Sequence, residues 1–182
     1  MLCRAAQATA SAAAAPVLAQ LRAEHRALLR VIGAMQALVA AWRAAGAKPH
    51  ADFDAMLRHL EAIPGRLHHP KEDQVLFPAI ARRSRQGREL ISKLQRERAG
   101  AGRIIADIRA ALTRFDVGGP QALEGLATSV EELAELTWWH VQREEEQLLP
   151  LAQAVLPEAA WPEIAAAFAA REPPIGKEPV PA

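Results

Sequence analysis

From Pro16 to Gly46 apolar residues recur at Leu21, Leu28, Ile32, Met35, Val39 and Trp42. With His25 inserted, the spacing alternates four and three throughout, the seam of a helix in an antiparallel bundle. A helix is therefore predicted here, with Pro16 in its first turn, where a missing N–H costs nothing. The same arithmetic that turns Leu28 to the core turns His25 there. A second helix follows Pro49, with Phe53, Leu57 and Leu60 on one face, and Ile63-Pro64-Gly65 should break it. Its second piece runs from about Leu67–Pro70 to Arg83, with His68, Glu72, Val75 and Ala79 sharing a face. Pro70 suits a first turn, whereas Pro78 should kink this piece or loosen its last turns.

The third helix is predicted over residues 86–115. Its seam reads Ile91, Leu94, Arg98, Ala101, Ile105, Ile108, Leu112 and Phe115, with an arginine among apolar positions. Val117-Gly118-Gly119-Pro120 reads as a loop. A fourth helix, residues 121–156, carries Leu126, Val130, Leu133, Thr137, His140, Glu144 and Leu148, so its seam turns polar halfway. Trp161-Pro162 opens a short fifth helix through Ala170. The expected fold is all-α: an up-down-up-down four-helix bundle with a broken second helix and a short C-terminal fifth. The expected organisation is a disordered or frayed leader over residues 1–15, the bundle over 16–171, and a Pro-rich disordered tail over 172–182.

Composition supports this picture. Of 182 residues, 51% are hydrophobic, dominated by alanine and leucine, and β-branched residues are sparse, which favours helix over sheet. A net charge of +1, from 22 basic and 21 acidic residues, leaves no basic excess for nucleic acid. The single cysteine, Cys3, excludes an internal disulfide framework. The alanine-rich start lacks the apolar run of a signal peptide, and charges interrupt every apolar segment, so no membrane span is expected. The expected location is cytoplasmic.

Two segments share the pattern His-x-x-x-Glu: His68 with Glu72, and His140 with Glu144. Residues four apart lie on one helix face, so imidazole and carboxylate can reach one ion, or two ions bridged by the carboxylate. His25 joins them from a third seam. Buried histidines alone need only hydrogen-bond partners. Buried Glu72 and Glu144 change the balance, because carboxylates in a core need a cation between them. Iron, manganese and zinc all suit this ligand chemistry.

The stretches AEHRALL, HHPKEDQVLFPAI and HVQREEEQLLPLA, followed by WPEIAAAF, resemble bacterial hemerythrin-like (HHE cation-binding) domains over about residues 17–170. The resemblance implies a four-helix bundle around a non-haem di-iron centre that binds or responds to oxygen, nitric oxide or peroxide. It also implies His25, His68 and His140 as terminal ligands and Glu72 and Glu144 as bridging carboxylates. The third helix departs from the family pattern: it reads Arg96-Glu97-Arg98 where a glutamate and a ligating histidine are usual. Arginine stays protonated and cannot ligate, so Arg98 is expected to point inward as a charge surrogate for the missing second metal. The cofactor expectation is thus iron, as one or two ions or none, with a small diatomic ligand or peroxide as partner. A second reading, from a different class, is a metal-free scaffold or partner-binding bundle with Arg98 neutralising the former site. Peroxide consumption at the metal is a third; no other enzyme motif is present.

Other polar residues are assigned lesser roles. His69 and Asp73, four apart, are a candidate pair orienting the site. His50 and His59 are expected on the surface, Glu145 and Glu146 in water or in a charge network, and at least one of Trp138 and Trp139 in the core.

Overall fold

The computed structural model describes residues 12–45, 51–64 and 68–171, with the side chains at 51, 63 and 115–121 left out of the description. The described chain is a bundle of helices, without a strand among those residues. Helix α1 spans Ala15–Ala45 and α2 Ala51–Ile63. Next comes one composite helix: α3 (His69–Lys71), a π-helical turn (Glu72–Leu76) and α4 (Phe77–Ala81). Helical backbone then runs as α5 over Arg85–Arg143, followed by a second π turn (Glu144–Leu148), α6 (Leu149–Val155) and α7 (Ala160–Ala169). The expected leader falls largely, and the expected tail almost wholly, outside the described residues. Ala14, in the turn before α1, is fully buried.

The range called α5 is not one rod. Arg98 and Glu144 are 3.2 Å apart, whereas a straight helix would separate them by about 69 Å at its standard rise. Glu97 likewise meets His140, and α1 runs alongside the second limb, with Gln36 on Glu131 and Arg43 on Glu124. The chain therefore reverses between Arg109, which reaches Glu61, and Glu124. The expected Val117–Pro120 loop lies in this interval, among residues whose side chains are not described.

The four-three arithmetic holds closely in α1, where Leu21, His25, Ile32, Met35, Val39 and Trp42 are all buried. This helix is also long and apolar enough to cross a membrane, contrary to the expectation that charges break up every such stretch. Its buried face is taken by the bundle, as in any core helix. Ser84 caps α5 by accepting a hydrogen bond from the Gly87 backbone N–H at 3.0 Å.

The two π turns correct the expected role of Pro78. Pro78 and Pro150 each stand six residues after a glutamate, Glu72 and Glu144. Each π turn closes on that glutamate's carbonyl, which accepts from the N–H just before the proline, that of Phe77 or Leu149. A proline ring collides with the carbonyl four residues back, and widening the turn upstream relieves this. The extra residue shifts the helix phase. Hence Leu76, rather than the expected Val75, is the fully buried residue after Glu72.

Two apolar clusters result. One gathers Leu18, Leu21, Leu76, Phe77, Leu94, Leu148, Trp161 and Phe168 at the α7 end. The other gathers Ile32, Met35, Trp42, Phe53, Leu57, Ile108, Leu126 and Val130. Between them, at the level of His25, the core is polar. The Trp138 and Trp139 expectation fails: they are 45% and 53% exposed and packed edge to face on each other. Neither has a wall of the core to join.

Candidate metal centre

Six polar side chains meet at the centre, and all six are among those expected from the sequence. His25, His68, Glu72, His140 and Glu144 are all buried, with both glutamates at 0% exposure. One ligand atom from each of His25, His68, Glu72 and Glu144 lies within 4.8 Å of all the others. His140 stands apart from that foursome, on the far oxygen of Glu144. Arg98 is the sixth. Its side chain is 9% exposed and points inward, where a snorkelling arginine would have left the carboxylates uncompensated.

The two oxygens of Glu144 face opposite ways. Oε2 lies 3.0 Å from His25 Nε2 and 4.0 Å from His68 Nε2. Oε1 lies 3.2 Å from both His140 Nε2 and Arg98 Nη2. Glu72 Oε2 contacts the same Arg98 nitrogen, and His68 Nε2 at 3.4 Å. Arg98 is held in turn by Asp73 at 3.1 Å, and its guanidinium lies 4.9 Å from the Phe77 ring centre. Asp73 thus supports the site through Arg98, not through His69 as expected.

Each histidine is oriented from outside by a carboxylate that the sequence reading did not assign to the site. His25 Nδ1 meets Glu145 at 2.8 Å, His68 Nδ1 meets Glu24 at 2.7 Å, and His140 Nδ1 meets Glu97 at 3.2 Å. Every one of these acids has a cation behind it: Arg22 at 3.9 Å from Glu145, Lys71 at 2.5 Å from Glu24, and Arg143 at 2.8 Å from Glu97. Glu145 is therefore half-buried in a charge network with His25 and Arg22, the second of its two expected places, and Lys71 is a buried lysine. An acid on Nδ1 keeps the proton there and leaves the Nε2 lone pair facing inward, the usual support for a metal-binding imidazole. The sequence carries a signal for them. Glu24, Glu97 and Glu145 each adjoin an inward residue (His25, Arg98, Glu144) and serve a histidine of a neighbouring helix.

Charge in the site is strained without a cation. Burial and the nearby Glu144 push Glu72 up to about 8, against the pull of Arg98. Burial also pushes Glu144 up, but His140, His25 and Arg98 outweigh it and hold that carboxyl well below the ordinary range. Burial lowers His25, yet Glu144 and Glu145 raise it overall. Among the described residues, four buried side-chain polar atoms at this centre lack a hydrogen-bond partner: His25 Nε2, Glu72 Oε1, Glu144 Oε2 and Arg98 Nε. The 3.0 Å approach of His25 to Glu144 is close but not aligned as a hydrogen bond. Inward nitrogen and oxygen donors, orphaned at the centre and braced outside, fit a cation.

Two cavities reach this centre. One of about 80 Å³ is lined by Glu24, His25, Leu28, His59 and His68, so His59 is half-buried at the cavity, not on the open surface. His50 lies outside the described residues. The other, about 400 Å³ and largely apolar, ends at His69, Arg98, Thr137 and His140. His69 is driven down to about 3, by burial first and then by the positive Arg98.

No curated protein matches the chain closely enough to lend it a role. A family model does match, over residues 16–152, and those residues contain all five buried histidine and glutamate side chains of the centre: the chain belongs to the hemerythrin HHE cation-binding domain family.

Proposed function

We propose that this protein binds non-haem iron through His25, His68, Glu72 and Glu144, and that it binds or senses oxygen, nitric oxide or peroxide there. The observation that carries the reading is the convergence of three orphaned buried donor atoms, each on a side chain of that foursome. Membership of the HHE family supports iron in particular. Iron held there would supply a redox-active ion with a position open to a small exogenous ligand.

The chain's own residues do the rest. Glu24 and Glu145 fix the tautomer and tilt of His68 and His25. The two apolar clusters exclude bulk water on either side. The 80 Å³ cavity beside His25 and His68 has room for a diatomic ligand or a peroxide and little more. The reading includes an up-down-up-down bundle, which the reversal within α5 supports. It includes no role in nucleic acid binding, given the balanced charge.

The test is iron per chain after expression in iron-replete medium, with no chelating step in purification. Iron should co-purify and should be lost in His25→Ala and His68→Ala. A protein that takes up no metal even under anaerobic ferrous loading would refute the reading. It would favour the metal-free scaffold instead, for which the Arg98 ion pairs to Glu72 and Glu144 are the supporting observation.

A further inference from the structure

We infer that the centre is built for one metal ion, because the guanidinium of Arg98 permanently fills the second of two cation positions. The inference rests on the metal-binding reading above and deepens it.

The carboxylate pair has two sides. On one, Glu144 Oε2 sits with the Nε2 atoms of His25 and His68, and His68 Nε2 also reaches Glu72 Oε2 at 3.4 Å. On the other, Glu144 Oε1 and Glu72 Oε2 converge on a single nitrogen, Arg98 Nη2. A cation touching both carboxylates is what a bridged second ion would be, and here that cation is covalently part of the chain. It cannot be titrated away, since guanidinium stays protonated throughout the accessible pH range.

Nor is it free to swing out. Asp73 holds Nη1 at 3.1 Å, Gln95 donates to the same Asp73 oxygen at 3.4 Å, and the guanidinium lies over Phe77. On this side His140 reaches Glu97 through Nδ1 and Glu144 Oε1 through Nε2, and Arg143 holds Glu97. Charge points the same way. Arg98 already places one fixed positive charge against Glu144 Oε1 and Glu72 Oε2. A divalent ion added on that side would stand beside the guanidinium in a buried site, where uncompensated charge is most costly.

The experiment is anaerobic ferrous titration of chelator-stripped wild type and of Arg98→His, read by elemental iron per folded chain and by X-ray absorption for iron–iron scattering. Wild type should saturate at about one iron without an iron–iron shell. Arg98→His, which exchanges a non-ligand for a ligand beside His140, should approach two, about a twofold rise, with that shell present. Two irons in wild type would overturn the inference and leave the metal-binding reading intact. A folded Arg98→His that still takes one would also overturn it. If the variant does not fold, the wild-type count and scattering decide alone. No iron in wild type would overturn the metal-binding reading itself, and the inference with it.

Discussion

Replacing Arg98 with methionine in the metal-free protein should cost about 3–4 kcal/mol at pH 7 and about 1 kcal/mol at pH 5. Methionine keeps an unbranched stem of similar reach over Phe77, so the change isolates the charge. Removing one partner from a buried ion pair costs about 3–5 kcal/mol, because the other is left uncompensated. A ceiling comes from proton uptake. With Arg98 present the pair already holds one proton near neutrality, on Glu72, whose pKa is pushed up to about 8. Without Arg98 the second carboxyl, Glu144, escapes its penalty by binding a proton as well. Starting from an ordinary value of 4.5, that costs about 3.4 kcal/mol at pH 7 and about 0.7 kcal/mol at pH 5. The two estimates agree at neutrality and diverge below it, which makes pH the discriminating variable. The assay is urea unfolding of both proteins with chelator present, fitted with a common slope. A loss under about 1 kcal/mol at pH 7 would refute the buried-charge account. So would a loss of equal size at both pH values, which would indicate a packing defect.

Three other outcomes are expected. Glu24, in Glu24→Gln, should lower metal affinity about 10- to 100-fold, measured by chelator competition, since it orients His68. The same change should flatten the acid limb of stability. The Glu24 carboxyl sits at about 2, because His68 and Lys71 outweigh the upward push of burial. Its contribution, about 1–2 kcal/mol after allowance for partial exposure, is present above pH 4.5 and lost as pH falls toward 2. His69, held neutral down to about 3 by burial and nearby positive charge, takes up its proton more readily unfolded. It therefore makes stability fall as pH drops from 6.5 toward 3, and His69→Gln should remove part of that fall in urea midpoints measured across the range. Trp161→Ala should cost about 3–5 kcal/mol, because Trp161 is 0% exposed, while Trp138→Ala and Trp139→Ala should each cost under about 1.5 kcal/mol; thermal unfolding of the three separates them.

The readable part of this protein was the part governed by one helix at a time. Three-four spacing found the buried faces of α1 and of both limbs of α5, and it drew His25, Arg98, His140 and Glu144 inward because a seam does not distinguish polar from apolar occupants. What was missed or left open depends on a second helix. Whether Glu145 meets water or His25 is decided by how closely α1 approaches the second limb. Trp138 and Trp139 were credited to the core for their hydrophobicity, but their phase sets them outside the seam of Thr137 and His140, and area alone cannot turn a residue inward. The prolines show the same limit from the backbone side. Pro78 is visible as a disruption, yet a disruption can be absorbed as a kink, a frayed end or a wide turn, and which one occurs depends on what the neighbours reward. Here a wide turn starting at the glutamate keeps Glu72 on the seam while re-phasing Leu76 into the core. Pro150 follows the same wide turn at Glu144, where Leu148, already on the expected seam, and Leu149 are both buried. That the two prolines stand at the same distance from the two glutamates suggests that the wide turns belong to the centre: each lets one helix present a ligand on its inner face and still seal the apolar layer below it.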